Sequence, residues 1–122
     1  MHRDTYSLNL IAQSKGYATK KRHIFVCVSD ACASKEDNLR LWDYLKKKLK
    51  EREPDPNTAT IMRSKVDCLR ICKGGTIALV YPEGTMYHDL NETKLDRVID
   101  EHLFGGMPVE ECLFFEKGFD MG

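Results

Sequence analysis

Apolar positions along this chain change their period several times, and each change marks an element. The run His23-Ile24-Phe25-Val26-Cys27-Val28 is apolar, aromatic and β-branched almost throughout. It predicts a buried central strand that stops at the turn pair Ser29-Asp30. Ser34 and Asp37 have the spacing of a helix-capping pair, with Asp in place of the usual Glu or Gln. Leu39, Trp42, Leu45 and Leu49 then fall near one face of a helix that ends around Glu51, before the turn Pro54-Asp55-Pro56-Asn57. A second strand is expected over Thr58–Val66, centred on Thr60, Ile61 and Met62.

Asp67 to Cys72 reads as a compact loop closed by Gly74-Gly75, and Thr76–Tyr81 as another buried strand. Pro82-Glu83-Gly84 is a hairpin turn into Thr85-Met86-Tyr87-His88. A second helix is expected to open at Thr93, three residues before Asp96, and to bury Leu95, Val98, Ile99, His102 and Leu103. Gly105-Gly106 and Pro108 end it. The order strand–helix–strand–hairpin–helix predicts an α/β domain with a mixed four-to-five-stranded sheet, its first two strands parallel, and flanking helices.

The ends carry weaker patterns. Residues 1–20 are expected to form an arm, loosely held or with a short edge strand over Tyr6–Ile11, and 21–113 the folded domain. Residues 114–122 are expected to be a tail, following an apolar knot at Leu113-Phe114-Phe115. Lys20-Lys21-Arg22 reads as a solvated lead into the first strand.

Composition narrows the function. The chain has 122 residues with 19 Lys plus Arg against 19 Asp plus Glu, a formal net charge of zero. Proteins that neutralise many phosphates carry a basic excess, so nucleic acid is not an expected partner. At 42% hydrophobic and 31% charged, the chain can bury a core beneath a solvated surface. No uncharged run comes near the roughly 18 residues a membrane span needs. Met1-His2-Arg3-Asp4 lacks the apolar stretch of a secretory signal, so a cytoplasmic, reducing compartment is expected.

Five cysteines in such a compartment call for something other than disulfides. Cys27 and Cys32 have four residues between them, and Cys68 and Cys72 have three. The first pair lies at the C-terminal end of strand one and the second in the loop after strand two. Parallel strands would bring both loops to the same end of the sheet and converge four thiolates on one point. The spacing is compatible with a tetrahedral zinc site and with a 2Fe-2S cluster, in which each iron takes two thiolates. Spacing alone leaves both open. Cys112 lies outside the pattern and reads as a partly buried structural thiol. His23 is unnecessary as a ligand, His102 reads as a satisfied core residue and Trp42 as helix packing. Lys46-Lys47-Lys48 with Lys50 reads as a solvated helix face or a dock for an acidic protein. No phosphate-binding Gly-rich loop, paired carboxylates or nucleophile–base pair is present, so no catalytic site is expected.

His23–Cys27, Cys32-Ala33-Ser34-Lys35, Cys68-Leu69 through Cys72, Val80-Tyr81-Pro82-Glu83-Gly84 with Tyr87, and His102–Gly106 with Pro108-Val109 together carry a family resemblance. Over about Arg22 to Leu113 the chain resembles the thioredoxin-like 2Fe-2S ferredoxins. These are stand-alone relatives of the cluster-bearing small subunit of NADH dehydrogenases and diaphorases. The resemblance implies a thioredoxin-like fold, one 2Fe-2S cluster, one-electron transfer to redox partner proteins, and often a homodimer. It implies Cys27 and Cys32 as ligands of one iron, and Cys68 and Cys72 of the other. The four-residue gap between Cys27 and Cys32 is like that of the enzyme subunits, so a subunit of an NAD(P)H-linked oxidoreductase complex is the alternative reading. Expected helpers are the N–H groups of Ala33, Gly74 and Gly75 as donors to sulfur, and Lys35, Arg70 and Lys73 as a basic rim.

Overall fold

The computed structural model describes residues 3–31, 33–71 and 73–117. A five-stranded mixed sheet runs in the order β2-β1-β3-β4-β5. Its strands are β1 (Arg22–Cys27), β2 (Ile61–Val66), β3 (Ala78–Tyr81), β4 (Thr85–Tyr87) and β5 (Leu113–Glu116). Strands β1 and β2 are parallel, and the β1/β3, β3/β4 and β4/β5 pairs are antiparallel. The helices are α1 (Arg3–Ser14), α2 (Lys35–Arg52) and α3 (Glu92–Arg97), and α3 continues as a π-helical turn over Val98–Leu103.

Strand alternation sorts β1 between two faces. Ile24 and Val26 turn to the core, where they meet Leu41, Trp42, Leu45 and Leu49 of α2 and Leu95, Val98, Ile99 and Leu103 of the last helix. His23 and Phe25 stay half-buried on the outer face, with their rings stacked 3.9 Å apart. His23 Nε2 meets Ser64 Oγ at 2.8 Å, so this histidine is engaged on the sheet.

The first turn of α2 forms as the capping pair predicts: Ser34 Oγ accepts from Asp37 N at 3.1 Å. Glu36 and Asp37 sit at its start and Lys50 and Arg52 at its end, each complementing the helix dipole. Trp42 is buried in the core, as helix packing requires. Lys48 lies against the Tyr44 ring, while Lys47 and Lys50 face solvent.

Several expectations change. Residues 3–14 are helical, so the short edge strand considered over Tyr6–Ile11 is not formed. Their apolar positions Tyr6, Leu8, Leu10 and Ile11 are all exposed, so burial gives no alternation to read. Strand β2 begins at Ile61 because Thr58 and Ala59 close a turn on the Asp55 carbonyl. Strand β3 begins at Ala78, leaving Thr76 and Ile77 in the preceding loop. The cap of α3 is Asn91, whose side chain accepts from Lys94 N at 2.8 Å, and Thr93 lies inside the helix. Leu113-Phe114-Phe115 belongs to β5, paired on the open edge of β4. Arg22 is not solvated: its guanidinium pairs with Glu83 across the sheet at 3.0 Å.

Candidate metal centre

The parallel pairing decides where the cysteine loops start. Cys27, the last residue of β1, stands in register with Val66, the last residue of β2. Val28 N then donates to Val66 O at 2.8 Å, so both strands release their chains at the same level. Cys68 follows two residues beyond β2. Cys27 Sγ lies 4.0 Å from the Asp67 carbonyl oxygen, directly beside that second loop.

The two described cysteines of these loops differ in environment. Cys27 is 2% exposed and packs with Ile77, Leu69 and Met86, whereas Cys68 is exposed. Cys32 and Cys72 lie outside the described residues. Among the described residues, no group of three or more His, Cys, Asp or Glu side chains is placed to hold a metal ion.

Around Cys68 the backbone takes an unusual path. Arg70 has φ 67, in the left-handed region, and its N–H donates to Cys68 Sγ at 3.1 Å. An N–H aimed at sulfur stabilises thiolate charge, and no side-chain pattern announces it, because it arises from φ alone. Gly74 also has positive φ, 73, and its carbonyl accepts from Asp89 N at 2.6 Å, which ties the loop to the turn after β4. Lys35, Arg70 and Lys73 are all exposed at this end of the molecule.

The first loop is tied to the start of α2. Asp30 Oδ1 accepts from Lys35 N at 2.7 Å, and Ser29 Oγ accepts from Ala31 N at 3.1 Å. A cavity of about 330 Å³ opens here, bordered by Ala33, Arg40, Gly75, Thr76 and Asn91. A larger one, about 630 Å³, lies at the opposite end of the sheet among Lys20, Leu49, Lys50, Ile61 and Arg63, remote from the cysteines.

Cys112 sits apart. It is 1% exposed, its Sγ approaches Val109 O at 3.9 Å, and burial pushes its thiol pKa up. This is the environment of an inert structural thiol, more deeply buried than the sequence suggests.

A second polar assembly, at the far end of the sheet, involves His102, which is wholly buried. Its Nδ1 lies 2.7 Å from Tyr87 Oη and its Nε2 2.9 Å from Glu83 Oε1. Tyr87 Oη accepts from Val109 N at 3.0 Å, and Glu83 is held by Arg22. Every polar atom of the imidazole has a partner, so His102 is the satisfied core residue that its place on an apolar helix face implies.

No family model matches the sequence. A 2Fe-2S ferredoxin of Aquifex aeolicus is 29% identical over 106 residues, covering 80% of this chain and 91% of the relative. One from Clostridium pasteurianum is 26% identical over 94 residues, covering 74% of this chain and 92% of its own length. The solved structure of a thioredoxin-like [2Fe-2S] ferredoxin from Aquifex aeolicus superposes with a TM-score of 0.70 at 24% identity, over 80% of this chain and 94% of the other. In sequence this chain is similar to 2Fe-2S ferredoxins, and in fold to a thioredoxin-like [2Fe-2S] ferredoxin. The fold is thioredoxin-like, with the mixed sheet and flanking helices of that ferredoxin architecture. Among the described residues, no helix is long and apolar enough to cross a membrane.

Proposed function

We infer that this protein is an electron carrier that holds one [2Fe-2S] cluster on Cys27, Cys32, Cys68 and Cys72 and passes single electrons between partner proteins. The observation that carries this reading is the shared end of β1 and β2, where Cys27 and the loop bearing Cys68 meet on a ferredoxin-like fold. The donor chemistry fits: Cys27 and Cys68 supply sulfur at this end of the sheet, and Cys68 Sγ already receives a backbone N–H. When bound, a cluster on four thiolates supplies a one-electron couple between net charges of −2 and −3.

The protein's own part is to set that couple and hold the site. Buried Ile77, with half-buried Leu69 and Met86 packed against it, shields the Cys27 side from water. The Arg70 N–H directs positive dipole toward Cys68 Sγ and favours the added negative charge. The N–H groups of Ala33, Gly74 and Gly75 are assigned the same role. Lys35, Arg70 and Lys73 give a basic rim on which an acidic partner docks. A free carrier is favoured over a complex subunit, because the relatives are named as ferredoxins. The protein has no substrate chemistry of its own and works in the reducing cytoplasm. We also assign it a homodimer; the half-exposed outer row Phe25, Leu79, Met86 and Phe115 is the apolar surface available to a second copy.

Anaerobic purification tests the central reading. A brown protein with iron and sulfide in a ratio near one, and a paramagnetic signal on reduction, is expected. A colourless protein holding one zinc overturns it.

A further inference from the structure

Among the described residues, Asn38 is the one wholly buried amide, and it sits on the core face of α2 in phase with Leu41, Trp42, Leu45 and Leu49. A buried amide among leucines costs stability unless its donor and acceptor are both used. Here they are used in two different loops. Nδ2 donates to the Ser29 carbonyl at 2.6 Å, within the loop that joins Cys27 to Cys32. Oδ1 accepts from Thr76 Oγ1 at 2.7 Å, in the segment that follows Cys72. The carbonyl of Ser29 only accepts, so the amide orientation is fixed by chemistry.

The anchor itself is rigid. Asn38 N donates to Ser34 O at 3.0 Å in the capped first turn of an 18-residue helix. Thr76 is 4% exposed and its carbonyl accepts from Leu90 N at 3.2 Å, so the second loop is held on its other side too. With Asn38 fully excluded from solvent, water is not there to replace either bond.

We propose that Asn38 is a positioning residue that clamps the two cysteine-bearing loops at one fixed separation, and so governs how firmly a four-thiolate centre is held. The clamp is a property of the chain; its consequence for the centre rests on the cluster reading above. Only an amide of this length serves: Asp offers no donor to the Ser29 carbonyl, and Leu offers neither group.

Thr76→Val, which removes one bond while keeping shape and leaving Asn38 in place, is the cleanest probe, with Thr76→Ser as the conservative control. In the cluster-free protein, amide hydrogen exchange of the Ser29–Ala31 segment should quicken about tenfold in Thr76→Val, the loss of one buried hydrogen bond. Thr76→Ser should restore it, and exchange in α3 should not change. In cluster-loaded protein, Thr76→Val and Asn38→Leu should release iron to a chelator at least about fivefold faster and shift the midpoint potential, again on the strength of about one buried bond. Exchange that quickens only around Thr76, with Ser29–Ala31 unchanged, overturns the clamp. Coupled exchange with iron release and potential unchanged in loaded protein overturns its role at the centre. A wild-type protein that takes up no cluster refutes the electron-carrier reading instead, and the exchange experiment still decides the clamp.

Discussion

Tyr87 Oη and His102 Nδ1 stand 2.7 Å apart, both side chains wholly buried, in a chain of bonds that crosses the core. Because Glu83 is a carboxylate acceptor, His102 Nε2 carries the proton and donates to it, leaving Nδ1 to accept from the Tyr87 hydroxyl. Tyr87 Oη in turn accepts from Val109 N. The chain therefore joins β4, the π-helical turn, the β3–β4 hairpin and the segment leading to β5. Tyr87→Phe removes the hydroxyl from both neighbours and strands the buried Val109 N–H. A loss of about 2 kcal/mol is expected, on the scale of two buried hydrogen bonds. Thermal unfolding checks it, and an unchanged melting temperature would refute it.

The same chain makes stability depend on pH. Burial depresses the His102 pKa below 6.5, and the Glu83 hydrogen bond only partly offsets this; Arg22 lowers it further and Glu116 raises it. For Glu83, burial pushes upward, but the bonds from Arg22 and His102 prevail and hold its pKa low. Below pH 6.5 the unfolded histidine takes up a proton before the folded one does, so the unfolded state binds more protons and stability falls with falling pH. The His102 contribution should be flat above about pH 7 and decline toward pH 5. His102→Gln should flatten that decline, as read by denaturant titrations at several pH values. A decline of equal slope in the variant would remove His102 as its source.

Serine substitution separates the cysteines. Cys27→Ser and Cys68→Ser are expected to change or abolish visible absorption and the reduced-state paramagnetic signal. Cys112→Ser should leave both intact and cost about 1 kcal/mol of folding stability, because a hydroxyl replaces a buried, soft thiol. Loss of the cluster signal in Cys112→Ser would overturn the assignment of that residue as a bystander.

Arg70 contributes a backbone donor and a side-chain charge, and these can be told apart. Arg70→Gln keeps the N–H directed at Cys68 Sγ but removes the exposed positive charge. The midpoint potential should fall, because the reduced centre bears the greater negative charge, and partner reduction should become less sensitive to salt. An unchanged potential with unchanged kinetics would sink the basic rim.

Gly16 joins α1 to the rest of the chain. Its φ of 84 is in the left-handed region, and a Cβ there would run into the Asn57 carbonyl. Gly16→Ala should push the Gly16 backbone off Asn57 and speed proteolysis within residues 3–19, with the visible spectrum preserved. Equal proteolysis rates in the two proteins would show that the contact does not hold the helix.

Local pattern alone determined much of this protein. The strand cores at 23–27 and 78–81, the capped helix from Ser34 and the buried face of the last helix are written in neighbouring residues, since period and capping depend only on near neighbours. The cysteine spacing likewise marks two short loops. Tertiary structure decided what distant segments do to each other. Register between β1 and β2 brings Cys27 beside the loop of Cys68. Packing turns Asn38, a polar residue out of place on an apolar face, into a link between loops 38 residues from Thr76. It turns Arg22, Glu83, Tyr87 and His102 from four scattered polar residues into one connected chain. The reason is physical: a backbone pattern reports which face is buried, but a buried polar group must find its partner across the core, and sequence distance carries no record of that meeting.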